Sequence, residues 1–183
     1  NLESCALVGF SLGGLIVQDF ALNHPEKVNA LVMLNTSHGR TKSERSAVLA
    51  RVQQAREHGP ASTVEAALER WFSADFSKKN PEIIDKIRCW IMANDKDIYP
   101  EIYRLLAESD ESLTDSISAI RCPTLVMTGE KDYGNSPEMT QRMAALIPEA
   151  HAVILPGLRH MGLAENSQAV NSQLVSFFQE VLK

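Results

Sequence analysis

The stretch "ALVGFSLGG", residues 6–14, decides how the rest of the chain is read. An apolar run over residues 4–9 stops at Gly9, the length of a fully buried strand. Residues 12–23 (LGGLIVQDFALN) then carry Leu12, Leu15, Ile16, Phe20 and Leu22 at helical spacing, and "NHPEK" ends that helix before Pro25. Residues 28–34 (VNALVML) read as a second buried strand. Strand, tight turn, helix and strand make a βαβ unit, which predicts a parallel sheet. Ser11 stands at the turn between Gly9 and Gly13, in the G-x-S-x-G pattern that lifts a serine hydroxyl above a sheet. The two glycines are expected to leave room for neighbouring backbone, and the Leu12 N–H to face a reacting carbonyl. A serine that only caps the helix is the bland reading of the same residues.

From residue 39 to 120 the character changes. "SERSAVLARVQQAREHG", "STVEAALERWFSADF", "PEIIDKIRCWIMAND" and "YPEIYRLLAESD" are each amphipathic at a 3.6 period, with breaks at Gly59-Pro60, Asn80-Pro81 and Tyr99-Pro100. A gap this long between strands is not a structureless loop in a folded chain. The expectation is a helical cap over 39–120, inserted into a core made of residues 1–38 and 121–183. Alternation then resumes: "CPTLVMTGE" as a strand, "SPEMTQRMAALIP" as a helix capped by Ser136, "HAVILPG" as a strand, and "AENSQAVNSQLVSFFQEVLK" as a closing helix.

A serine hydroxyl needs a base, and the base needs an orienting partner. Asp132 lies in "TGEKD" just beyond one predicted strand, and His160 in "GLRHMG" after the next. Sites in open parallel sheets form beyond the carboxyl ends of strands, where all three residues fall. The alternatives are a solvated turn for Asp132, with Glu130 a rival carboxylate, and a surface histidine for His160. His24, His58 and His151 read as structural, whereas His38, directly after the second strand, is a candidate for lining the site.

The 183 residues are 44% hydrophobic with a net charge of -5, an ordinary globular balance that disfavours nucleic acid and anionic membranes as partners. No run approaches the length of a membrane span. Cys5, Cys89 and Cys122 follow no paired spacing, and "NLESCALVG" lacks a basic region and cleavage site. A cytoplasmic protein with reduced thiols is expected, which discounts the glycosylation pattern at Asn35. No metal cluster or dinucleotide fingerprint is present, so no cofactor is expected. Arg40, Lys42 and Arg45 cluster where the cap begins; they meet either a substrate carboxylate or only solvent.

Through "LVGFSLGG", "CPTLVMTGEKD" and "GLRHMG" the chain resembles the C-terminal part of α/β-hydrolase fold proteins. Its cap segment, "VQQAREHGPASTVEAALERWFSADF" through "IRCWIMANDKDIYPEIYRLLAESD", is most similar to the 3-oxoadipate enol-lactonase group. The resemblance implies Ser11 as nucleophile, Asp132 as acid, His160 as base and the Leu12 N–H as one oxyanion donor, with Trp71 and Met161 near the substrate. It implies hydrolysis of a small-molecule ester or lactone through an acyl-enzyme. A carbon–carbon bond hydrolase, a cofactor-free perhydrolase, and a hydrolase-like receptor for a small molecule are the alternatives on the same residues. Complete members of the superfamily carry further strands before the elbow and a second oxyanion donor near a His-Gly pair. The two such pairs here, His38-Gly39 and His58-Gly59, follow the elbow instead. About four neighbouring strands, an open edge on the elbow strand, self-association through that edge and impaired turnover are therefore expected.

Overall fold

The computed structural model describes residues 3–182. Four parallel strands, β1 (Cys5–Phe10), β2 (Val28–Leu34), β3 (Thr124–Gly129) and β4 (Ala150–Leu155), form one sheet in sequential order. Residues on β2 alternate between two apolar layers. Leu31 and Met33 pack with Ile117, Val126 and Met143 on one face, while Ala30, Val32 and Leu34 pack with Leu125, Phe177 and Val170 on the other. The first layer is closed by α1 (Leu12–Asn23) and α7 (Pro137–Leu146), the second by the short α8 (Gly162–Glu165) and by α9 (Ser167–Val181). Burial on both faces is why β2 and β3 read as continuous apolar runs. β1 pairs only with β2 among the described residues, and Val8 is 47% exposed. The elbow strand thus lies at an open edge.

Between β2 and β3 run five α-helices: α2 (Lys42–His58), α3 (Val64–Trp71), α4 (Ala74–Lys79), α5 (Pro81–Met92) and α6 (Ile98–Thr114). Two differ from the sequence reading. Residues 62–76, one amphipathic stretch by periodicity, are broken at Ser73, whose hydroxyl accepts from the Phe76 N–H and starts α4. Pro100 does not mark a break but lies in the first turn of α6, where its missing N–H costs nothing. The break falls earlier, at Asp95, whose carboxylate accepts the N–H groups of Asp97 and Ile98. The helical segment has its own core, with Val64, Leu68, Phe72, Ile84, Ile87 and Ile91 buried together.

The segment is tied to the sheet through Asp110 of α6, whose side chain is wholly buried. One carboxylate oxygen accepts the Arg40 N–H at 2.9 Å and the other faces the guanidinium groups of Arg45 at 3.0 Å and Arg40 at 3.7 Å. Arg40 and Arg45 therefore serve structure, and Lys42 stands exposed at the start of α2. No helix among the described residues is long and apolar enough to cross a membrane.

Candidate active site

Ser11 has φ 53° and ψ −116°, a left-handed conformation that side chains other than glycine rarely adopt. Such strain costs on the order of 1–3 kcal/mol and persists only where the surroundings fix it. Here the Ser11 N–H donates to Leu34 O at 2.8 Å, and the Thr36 hydroxyl donates to Ser11 O. Both anchors sit at the end of β2, so the neighbouring strand holds the turn. Leu12 is the first residue of α1, so its N–H has no acceptor within the helix and is free for an oxyanion.

The glycines divide differently from the sequence expectation. A Cβ on Gly9 would stand 2.2 Å from Gly13 O, and one on Gly14 would stand 1.7 Å from the Thr36 hydroxyl. A Cβ on Gly13 would meet nothing within 4 Å. Close approach thus demands Gly9 and Gly14, and Gly13 supplies only the approaching carbonyl. Gly9→Ala should destabilise the chain by about 3 kcal/mol, whereas Gly13→Ala, inside α1, should be neutral or stabilising by up to about 1 kcal/mol. Urea unfolding of the two variants measures the contrast.

His160 Nε2 lies 3.2 Å from Ser11 Oγ, and His160 Nδ1 lies 2.8 Å from Asp132 Oδ2. The structure therefore brings together the three residues singled out across 149 positions of sequence. Asp132 Oδ2 also accepts from Asn35 Nδ2 at 2.9 Å, and Oδ1 accepts the N–H groups of Gly134 and Asn135 at 3.1 and 3.0 Å. Burial pushes the Asp132 carboxyl up, but the hydrogen bond and charge of His160, with the Asn35 amide and the Asn135 N–H, outweigh it. The carboxyl ends below its ordinary value and stays ionised. With Oδ2 receiving a proton from Nδ1, Nε2 is left to accept one from Ser11. Asn135 Nδ2 flanks the same Nδ1 at 3.3 Å, the longer of its two contacts.

The imidazole is held between aromatic rings, Phe10 at 5.0 Å and Trp71 at 5.9 Å between centroids. Its loop is sewn to the helical segment. Met161 N–H donates to Trp71 O at 2.9 Å, and Arg159 Nη1 donates to Phe72 O at 3.1 Å. Glu165 bridges the two parts, accepting the Ser73 N–H at 2.7 Å on one oxygen and the Arg159 N–H at 2.9 Å on the other.

Two cavities open on Ser11 and His160. One is lined by Arg40, Arg51, Arg70 and Tyr103, the other by Phe10, Ile87, Trp90, Ile91 and Met161, and Trp71 belongs to both. Trp71 and Met161 thus line cavities that open on Ser11 and His160. His38 does not: it is 3% exposed and lines neither cavity, its carbonyl accepting from Arg142. Glu130 turns away to accept the Gly157 N–H. Burial, with the Arg142 charge, pushes the His38 imidazole below its ordinary 6.5, against a smaller upward pull from Asp110. The unfolded chain then takes up this proton first, so the stability His38 confers is complete above pH 6.5 and falls as pH drops toward the lowered folded value. His38→Gln should remove that part of the acid-side slope in urea midpoints measured from pH 7 downward.

Asn35, Asn135, Arg51 and Arg70 were not evident from sequence as site residues. Asn35 carried one signal, its place as the first residue beyond β2 and beside β3. The arginines lie on α2 and α3, and helical periodicity marks them only as polar.

Residues 1–167 match the family model Hydrolase_4, described as serine aminopeptidase, S33. The chain belongs to this family of the α/β-hydrolase superfamily. It is 30% identical over 179 residues to the (E)-2-((N-methylformamido)methylene)succinate hydrolase of Acinetobacter baylyi, covering 98% of this chain and 66% of that protein. It is 29% identical over 171 residues to 3-oxoadipate enol-lactonase 2 of the same organism, covering 93% and 62%. Among solved structures, a thermophilic esterase from Thermogutta terrifontis superposes with a TM-score of 0.85 at 26% identity, covering 98% of this hydrolase-family chain and 66% of the esterase. The chain thus spans about two thirds of the length of the relatives it matches.

Proposed function

We propose that this chain carries the nucleophile, base and acid of a serine hydrolase that cleaves an anionic carboxylic ester or lactone through an acyl-enzyme. The observation that supports it most is the continuous contact from Ser11 Oγ through His160 to Asp132, at 3.2 and 2.8 Å. Ser11 Oγ attacks the carbonyl carbon while His160 Nε2 takes its proton. The Leu12 N–H donates to the oxyanion. Collapse breaks the ester C–O bond, and His160 returns the proton to the departing alkoxide. Water then attacks the acyl carbon, giving its proton to His160, and the acid leaves as Ser11 Oγ is reprotonated. Asp132 holds the imidazole tautomer throughout and stabilises its cation.

The anionic half of the reading rests on Arg51 and Arg70. Neither has a carboxylate within ion-pair distance among the described residues, although Arg40 beside them is paired with Asp110. Burial lowers the Arg70 guanidinium from its ordinary value, with the Arg51 charge, against an upward pull from Tyr103 and Tyr99. The Arg51 Nε is buried without a hydrogen-bond partner. Two half-buried cations beside the serine would gain from an anion. The names of the two relatives, a succinate and an oxoadipate, are consistent with this.

A fluorophosphonate is expected to label the protein at Ser11, and labelling of Ser11→Ala at the wild-type rate would overturn the assignment. Arg51→Ala and Arg70→Ala should each raise KM for a carboxylate-bearing ester about tenfold. The KM for a neutral ester should barely move, and steady-state kinetics on matched ester pairs read the difference.

A further inference from the structure

Ser11 and His160 stand where two cavities of opposite chemistry meet. The cationic one is the smaller, about 80 Å³, and its walls are Arg40, Arg51, Arg70 and Tyr103. The second is a groove of about 290 Å³ walled by Phe10, Ile87, Trp90, Ile91 and Met161, with Asn94 at its lip. Ile87, Trp90, Ile91 and Asn94 recur on one face of α5 and its C-terminal end at helical spacing. Ile87 and Ile91 also belong to the buried core of the helical segment, which fixes that face toward the groove. Trp90 is not used by that core: it is 59% exposed and lines the groove, with Lys86 Nζ 5.1 Å from its ring centroid. Trp71 lies against the His160 ring, tilted by 35° at 5.9 Å between centroids, and is the wall common to both cavities.

We infer that the substrate is two-ended: a compact anionic head in the arginine cavity, the scissile carbonyl at Ser11, and an apolar arm lying along α5 against Trp90. This rests on the serine-hydrolase reading above and adds to it what lies on the far side of the bond. The occupant of the groove follows from its lining. Because Ser11 and His160 line the groove, an arm attached to the carbonyl that Ser11 attacks enters it directly. An arm of several carbons buries apolar surface that a methyl ester leaves in water, and the gain appears in kcat/KM when the arm is seated in the transition state.

The test is a pair of ester series with one carboxylate held constant. In the first, one carboxyl of a short dicarboxylic acid is free and the other is esterified with methanol through hexanol. In the second, glycolate carries acyl chains of two to eight carbons, placing the arm on the acyl side. In one of the series, kcat/KM is expected to rise about two- to fourfold per methylene over the first several carbons. Trp90→Ala should flatten that rise. Met92→Ala, exposed on the same helix but outside the groove, should leave it intact. Both series flat in a protein that still takes a fluorophosphonate at Ser11 would overturn this inference alone, as expected of a groove covered by polypeptide. Absence of labelling at Ser11 would overturn the serine reading, and this inference with it.

Discussion

Asp132→Asn is expected to lower kcat about 10⁴-fold with KM little changed. The hydrogen bonds around this side chain leave the asparagine one orientation. The position of Oδ1 receives two backbone N–H groups, from Gly134 and Asn135, so the amide oxygen must occupy it. The amide nitrogen then takes the place of Oδ2, facing His160 Nδ1 at 2.8 Å. An N–H donor there turns Nδ1 into an acceptor and moves the ring proton to Nε2. An imidazole protonated at Nε2 cannot accept the proton of Ser11. The same amide also faces the Asn35 donor at 2.9 Å, which sharpens the mismatch. Initial rates on the best ester of the series above measure the loss, and retention of more than a tenth of wild-type kcat would remove Asp132 from the proposed chemistry.

Asp110→Ala should cost about 4 kcal/mol of folding stability, the largest loss expected from a change outside the triad. The carboxylate is wholly buried, and the Arg40 side chain beside it is only 4% exposed. Removing the anion strands that guanidinium, leaves the Arg40 N–H without its acceptor and takes one partner from Arg45, which keeps Ala107 O at 2.8 Å and Glu111 at 3.8 Å. For a chain of this length the melting temperature should fall by about 10 °C. Arg40→Met combined with Asp110→Leu should recover much of the loss, because a stranded charge costs more than a replaced pair. Differential scanning calorimetry of the single and double variants separates the two. Arg40 Nη2 also touches Asn135 Oδ1 at 3.3 Å, so the single variant is expected to disturb the site as well as the fold.

The features legible in sequence are those set by short-range rules. The elbow, the helix after it and the strand at 28–34 follow from apolar periodicity and turn residues, and each appears within a residue or so of its expected place. Ser11, Asp132 and His160 were legible because strand-end loops of a parallel sheet converge on one side. The misreadings have local causes. Periodicity ran through the α3–α4 junction because Phe72 and Phe76 stack at 5.4 Å across the break and keep the apolar spacing. Gly13 and His38 were weighed by their neighbours in sequence, whereas their roles depend on α1 closing over β1 and on Arg142 reaching His38 from α7. Arg51 and Arg70 were invisible for a related reason. A cation on a helix reads as a solvated face, and only the missing counter-charge in three dimensions sets it apart.

The seam between the His160 loop and the α3–α4 junction makes the alignment of the base depend on the helical segment. Met161, Arg159 and Glu165 bind that junction through hydrogen bonds of 2.7 to 3.1 Å, so it cannot swing outward without dragging the imidazole off Ser11. Ile87 and Ile91 of α5 pack in the same core as Leu68 and Phe72 of that junction, so loosening the segment anywhere in this core is expected to be felt at the base.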